Sequence, residues 1–442
     1  MMKRFLISLL SLLSLGLTSY TQSISRLKLD NLFNTLSENN LAMASIAISK
    51  NGVLVYQKAI GCSFIEGNNK VPANINTEYR IGSISKMFTA TIIFQLIEEK
   101  KLFINDTLYQ YFPSLPNAGV ITISELLNHR SGLPSFTNAT NYPDWMDKPK
   151  NHNDLLALIS GRKADFEPNS KADYNNSNYL LLSYIIEKVC KKNYKEVLNE
   201  RIISKLNLTR NYYGNGIDSN KNECASYKYF DNKWVKDKAA NLNNFSGAGA
   251  IVSTPSDMTK FIEALFSYKL VSKASLDKMK TLVDGYGMGM FPYSFQSKKG
   301  YGHNGKTEGF ASSLSYYPED KLAIAYCTNG EVYPKADILN GVLGICFNTA
   351  YTIPVFKPLV INNQELDKYI GTYLSSQPSI KVLCTKNEVN LLLETSGHTF
   401  VLDAIENNKF MNARYGYFFE FNQANKQLLI KEGDDVYYLN KQ

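Results

Sequence analysis

Ser83 and Lys86 stand three residues apart at the head of a run, Phe88 to Leu102, that is apolar almost all the way round. Residues at i and i+3 share a helix face, so a helix beginning near Ser83 holds a hydroxyl beside an amine on its first turn. Serine is a weak nucleophile at its own pKa and needs an adjacent base; a lysine serves once burial leaves its free amine populated. A helix apolar on every side is a buried helix, which supplies that burial. Taken alone, the pair reads more readily as an N-cap serine followed by a solvated lysine. Two later clusters shift the balance. In Asp173 to Tyr179, Tyr174 is placed to relay a proton and Asn176 to hold the lysine or a substrate amide. In Gly300 to Lys306, glycines surround His303, a pattern that suits a strand lining a cleft where a ligand approaches the backbone.

The elements that must position these groups follow from periodicity and turn chemistry. Ile24 to Leu36 has helical spacing, and Ala42 to Ile60 forms two β-rich runs broken by Lys50-Asn51-Gly52, a hairpin signal. The buried helix is expected to run from Ser83 to about Lys101, and Thr122 to Glu125 reads as a capping box opening a helix toward His129. Helical patterns recur at Ser177 to Lys192, Tyr194 to Leu206, Pro255 to Tyr268 and Ser272 to Leu282. Strand character returns at Tyr286 to Phe291, and at Phe310 to Tyr317 and Leu322 to Thr328 joined by the turn Pro318 to Lys321, before a helix from Lys335 to Phe347. Strands early and late with helices between them predict an α/β (α+β) fold: an antiparallel sheet flanked by helices, with a helical subdomain. Beyond Pro358, short β runs between Tyr369 and Leu439 are divided by turns with the spacing of a small all-β sandwich or barrel. The expected organisation is a signal peptide at 1–21, a catalytic domain at 22–359 and a C-terminal β domain at 360–442.

The leader reads from Met1-Met2-Lys3-Arg4, an apolar stretch Phe5 to Leu17 and small residues before Gln22, with cleavage expected after Thr21. The apolar run is too short to span a membrane, so a periplasmic or secreted product is expected. Losing Lys3 and Arg4 lowers the net charge from +8 to +6. The lysines are scattered without interleaved aromatics, which argues against nucleic-acid binding. Six cysteines stand far apart with no Cys-x-x-Cys pair, so mostly free, buried thiols are expected. No metal-ligand spacing or nucleotide-binding loop occurs, so no cofactor is expected.

Ser83-Ile84-Ser85-Lys86, Tyr174-Asn175-Asn176 and His303-Asn304-Gly305 resemble the three ordered motifs of class C β-lactamases and related DD-peptidases, penicillin-binding proteins and esterases. Glu125 to Pro134, Phe166-Glu167-Pro168, Gly249 to Thr254 and Tyr317 to Asp320 resemble further landmarks of that family, so the likeness covers roughly Leu29 to Asn348. Tyr369 to Tyr373 is similar to the opening of a small lipocalin-like domain often appended to such hydrolases. The resemblance implies a β-lactamase/transpeptidase-like fold and acyl-enzyme chemistry. Ser83 would attack the carbonyl, Lys86 and Tyr174 would move its proton with either as the base, and the backbone N–H groups of Ser83 and Lys306 would form an oxyanion hole beside Gly305. Asn176 and His303 would orient the substrate.

Three positions depart from the family pattern: Asn175 stands where a small residue is usual, Asn169 where glycine follows the proline, and His303 where lysine is usual. A neutral histidine does not pair with a β-lactam carboxylate, which weakens the expectation of antibiotic hydrolysis. His129 reads as structural, since no Gly-x-Ser-x-Gly elbow or triad order accompanies it. The expected activity is hydrolysis of D-amino-acid or cell-wall peptides, small esters or β-lactams, with small molecules, peptides or peptidoglycan fragments as partners and the oligomeric state open. The alternative is a penicillin-binding or sensor protein that acylates without turnover.

Overall fold

The computed structural model describes residues 24–218, 221–356, 359–433 and 435–442, so the leader expected at 1–21 lies outside the described residues. Helix α1 (Arg26–Glu38) starts at Ser25, whose hydroxyl accepts from the Lys28 backbone N–H. Strands β1 (Ala42–Lys50) and β2 (Val53–Ile60) turn on Asn51 at φ 55 and Gly52 at φ 78, the left-handed pair that a two-residue hairpin demands. Late in the chain come β3 (Phe291–Phe295), β4 (Lys298–Thr307), β5 (Phe310–Tyr317) and β6 (Leu322–Glu331). β6 pairs with β1, which closes one antiparallel sheet in the order β3-β4-β5-β6-β1-β2.

Apolar side chains cover both faces of this sheet. On one side, Ile46, Ile48, Ile324 and Tyr326 pack against α1 and against helix α5 (Lys335–Cys346). On the other lies α4 (Pro255–Phe266), where the Glu263 carboxylate accepts from the Ser49 hydroxyl at 2.6 Å. The helical subdomain is built around α2 (Ser85–Glu98), buried at every residue from Ser85 to Leu96, and α3 (Asn176–Cys190). The capping box at Thr122 is formed, with the Glu125 carboxylate accepting from the Thr122 backbone N–H at 2.6 Å.

Three local expectations are corrected. The α-helix begins at Ser85, and Gly82–Ile84 is a 3-10 turn ahead of it. The helix expected over Tyr194 to Leu206 ends at Leu198 and passes into a π-helical turn, Asn199–Ile203. Tyr286 to Met290 is loop, and the strand lies at Phe291–Phe295. Gly289 explains that shift: it sits at φ 82 against α2, where a Cβ would lie 2.5 Å from the Ala90 Cβ and 3.1 Å from the Lys86 carbonyl. The segment is held by close packing on the helix, with Tyr286 in an isolated bridge to Val283.

The C-terminal region is a closed barrel of eight antiparallel strands from Gly371–Ser376 to Asp435–Lys441, the last pairing with the first. Tyr369, Phe410 and Phe421 fill its interior as core side chains. It docks on the sheet domain through Phe418, 5.3 Å from the Tyr333 ring, and through Lys431, whose Nζ donates to Asp337 at 2.9 Å. All six cysteines are free: Cys224, Cys327, Cys346 and Cys384 are buried, Cys62 and Cys190 half-buried. No helix among the described residues is long and apolar enough to cross a membrane.

Candidate active site

Two glycines bring the edge of the sheet to the start of α2. Gly82 adopts φ 51, and a Cβ there would lie 3.0 Å from the Lys306 backbone nitrogen. A Cβ on Gly305 would lie 2.0 Å from the Ile81 carbonyl oxygen and 2.3 Å from the Ser312 Oγ. Backbone therefore runs directly against backbone here, which places the Lys306 amide beside the Ser83 turn. The Lys306 side chain leads to the barrel, where its Nζ donates to Asp435 at 2.8 Å.

Lys86 is fully buried, and burial drives its pKa well below the ordinary lysine range. It forms no ion pair among the described residues. Its Nζ lies 3.0 Å from Ser83 Oγ, 2.8 Å from Asn176 Oδ1 and 2.8 Å from the Ala248 carbonyl oxygen. The amide and the carbonyl oxygen can only accept, so a neutral amine spends its two N–H bonds on them. In that neutral form the lone pair is left facing the Ser83 hydroxyl and accepts its proton, whereas the charged form donates a third N–H to Ser83 Oγ. Asn176 is in turn fixed by donating from Nδ2 to the Thr137 hydroxyl at 3.0 Å.

Tyr174 and Asn176 owe their positions to the residues around them. Asn175 is the N-cap of α3, its Oδ1 accepting from the Ser177 N–H at 2.7 Å, while its Nδ2 donates to the Leu133 carbonyl. The Asn175 backbone N–H donates to His129 Nδ1 at 3.1 Å. His129 is buried between the rings of Tyr174, Tyr179 and Tyr286, and burial keeps it neutral, which that acceptor role requires. The Asn175 side chain, unusual at its position, thus has a clear task in tying the motif to the Gly132 loop. The Tyr174 hydroxyl is buried beside Ser83, and burial raises its pKa above the ordinary phenol range.

His303 lies on β4, its ring 4.5 Å from Phe291 and 6.1 Å from Tyr174. Burial, with Lys86 nearby, pushes its pKa down to about 3, so it is neutral. Its Nδ1 lies 2.5 Å from the Asn304 carbonyl oxygen, which can only accept, so the proton resides on Nδ1 and Nε2 is an acceptor.

Ser83 stands between two cavities. One of about 630 Å³ is lined by Ser83, Tyr174, Asn176, His303, Gly305 and Lys306 as it passes the edge of β4. The other, about 320 Å³, is lined by Ser83, Thr137, Tyr142, Phe245, Thr307 and Glu308 among others. A third, about 480 Å³, lies where Tyr333 and Tyr351 meet the barrel and holds none of the site groups. All seven site residues expected from the motifs therefore meet in one place. Thr137, the Ala248 carbonyl and Glu308 were not foreseen. A backbone carbonyl leaves no mark in a sequence, and neither Thr137 nor Glu308 belongs to a motif core.

The sequence over residues 29–343 matches the beta-lactamase family. Penicillin-binding protein 4* of Bacillus subtilis is 28% identical over 404 residues, covering 84% of this chain and 88% of the relative. Teichoic acid D-alanine hydrolase of Staphylococcus aureus is 30% identical over 298 residues, covering 66% and 71%. The octameric penicillin-binding protein homologue from Pyrococcus abyssi superposes with a TM-score of 0.66 at 24% identity, over 93% of this chain and 99% of that one, a likeness of fold that takes in the barrel. With the ordered motifs gathered around Ser83, the chain belongs to the beta-lactamase family of serine hydrolases.

Proposed function

We propose that this chain is exported and cleaves amide or ester bonds through an acyl-enzyme on Ser83, taking D-amino-acid or cell-wall peptides and small esters as substrates. The observation that carries this is Lys86: buried, with no ion pair among the described residues, and its Nζ within hydrogen-bond distance of Ser83 Oγ, Asn176 Oδ1 and the Ala248 carbonyl oxygen. Ser83 Oγ bonds to the carbonyl carbon while its proton passes to Lys86, and the carbonyl electrons move to the oxygen. The backbone N–H groups of Ser83 and Lys306 receive that oxyanion; one such donor is typically worth about 3 to 4 kcal/mol. As the tetrahedral centre collapses, the leaving group takes the Tyr174 proton and Lys86 returns one to Tyr174. Water then repeats the sequence on the acyl-enzyme. The raised pKa of Tyr174 keeps its phenol protonated, which supports Lys86 as the base. His303 Nε2 accepts a hydrogen bond from the substrate. The staphylococcal relative, by name a teichoic acid D-alanine hydrolase, supports a D-alanyl group as the acyl part.

Intact-mass spectrometry with a p-nitrophenyl ester tests this reading. A Ser83 adduct that forms and disappears within the assay is expected; one that persists for hours would mark a protein that acylates without turnover. In the same panel, penicillin is expected to turn over more slowly than the ester, because His303 offers no fixed cation at its position. Gly305→Ala is expected to reduce kcat/KM by about 100-fold, since a misplacement of roughly 1 Å in a reacting group has that effect. Thermal unfolding should show it destabilised by about 1–3 kcal/mol from overpacking against Ile81 and Ser312. Wild-type kinetics in that variant would show the close approach to be dispensable.

A further inference from the structure

The two cavities beside Ser83 are not equivalent. Tyr174 lines the larger one and is absent from the smaller. If Tyr174 protonates the leaving group, that group departs through the larger cavity and the acyl part occupies the smaller. The smaller cavity has about 320 Å³ of space, enough for a short acyl chain, and is walled by the half-buried rings of Tyr142 and Phe245. Its one acidic side chain is Glu308.

Glu308 is an unusual wall for such a cavity. It follows directly on β4 at φ 47, a backbone conformation that glycine or asparagine fills more readily. Its carboxylate accepts from the Thr307 hydroxyl and from the Ala240 backbone N–H, which aim it, while burial raises its pKa above the ordinary carboxylate range, so that an arriving cation is what favours its charged form. Nearby Arg80 is engaged by Glu223 and by the carbonyls of Ala240 and Asn215, and Glu78 by Arg210. Glu308 forms no ion pair among the described residues. A carboxylate beside two aromatic rings in a small cavity is a site for an organic cation, which gains both a charge-assisted hydrogen bond and ring-face attraction.

We infer that Glu308, with Tyr142 and Phe245, binds the free α-ammonium of the acyl group, so that the preferred substrates are aminoacyl esters and amides with an unblocked amine. This rests on the Ser83 acyl-enzyme reading and narrows it. N-acylated peptides and simple acetyl esters lack the cation and are used less well.

The test compares alanine p-nitroanilide with its N-acetyl derivative, in D and L forms, on the full chain, with p-nitrophenyl acetate alongside. Wild type is expected to favour the free amine by about 10- to 100-fold in kcat/KM, the range for a hydrogen bond to a charged group. That ratio should collapse toward unity in Glu308→Gln and be partly kept in Glu308→Asp. Because the ratio is taken within one variant, a partly unfolded preparation does not mimic the result. No free-amine advantage in wild type, an unchanged ratio in Glu308→Gln, or absent alanine p-nitroanilide turnover beside active acetate turnover overturns this inference alone. Failure to hydrolyse p-nitrophenyl acetate, or its equal hydrolysis by Ser83→Ala, overturns the acyl-enzyme reading beneath it.

Discussion

Ser83→Ala should lower kcat/KM for any amide or ester substrate by about 10⁴-fold or more, the scale seen when a covalent nucleophile is removed. The Oγ is the only atom lost, and Ser83 is half-buried in a short turn and makes no contact that closes the core. The remaining framework, with Lys306 packed against Gly82 and Asn176 held by Thr137, stays intact. Thermal unfolding should therefore shift by only a few degrees, as for a substitution worth about 1 kcal/mol or less. Residual activity above about one per cent of wild type would move the nucleophile elsewhere, since oxyanion stabilisation and binding alone leave far less than that. The neighbouring hydroxyl of Ser85, buried at the start of α2, is no substitute, because it is committed inside the core, where it accepts from the Ile251 backbone N–H at 3.1 Å.

Lys86→Met should be almost as damaging, about 10³-fold or more, because the proton acceptor for Ser83 disappears while its volume is kept. In wild type the rate should fall on the acid side, as protonation of Lys86 removes the lone pair that Ser83 donates to. A flat kcat/KM profile from about pH 5 to 9, the range over which such bases are tuned, would rule out the amine as base. The same group has a signature in stability. Its folded pKa lies well below the unfolded lysine value of about 10.4, so between the two the unfolded chain binds more protons than the native one. Stability of wild type relative to Lys86→Met should accordingly rise with pH across that window, by up to about 1.4 kcal/mol per pH unit. Urea midpoints of both proteins at several pH values between about 7 and 10 measure this. A constant difference would mean that Lys86 keeps its charge in the native state.

Much of this site is readable along the chain because it depends on neighbours in sequence. The three-residue spacing of Ser83 and Lys86 puts them on one helical face even though the turn before Ser85 is 3-10, since both geometries bring i and i+3 together. The apolar surround of α2 foretells its burial, and Asn51-Gly52 and the Thr122–Glu125 box foretell their turn and cap, because each is a local preference of the residues that form it. The expected sheet, helical subdomain and C-terminal β unit rest on the same periodicities.

What needed the folded chain are the contacts that join distant backbone. The direction of the Lys86 lone pair depends on the Ala248 carbonyl, 162 residues away, and every residue type carries a carbonyl. His129 looked structural from its loop, and its nitrogen accepting from Asn175 shows what it holds in place. The strand shift from Tyr286 to Phe291 turns on Gly289 meeting Ala90, and the acidic wall at Glu308 on the return of the chain past Ser83 to make a second cavity. Local order along a helix or turn is written in adjacent side chains, whereas burial, proton position and cavity shape arise from which surfaces meet when the sheet closes between β1 and β6.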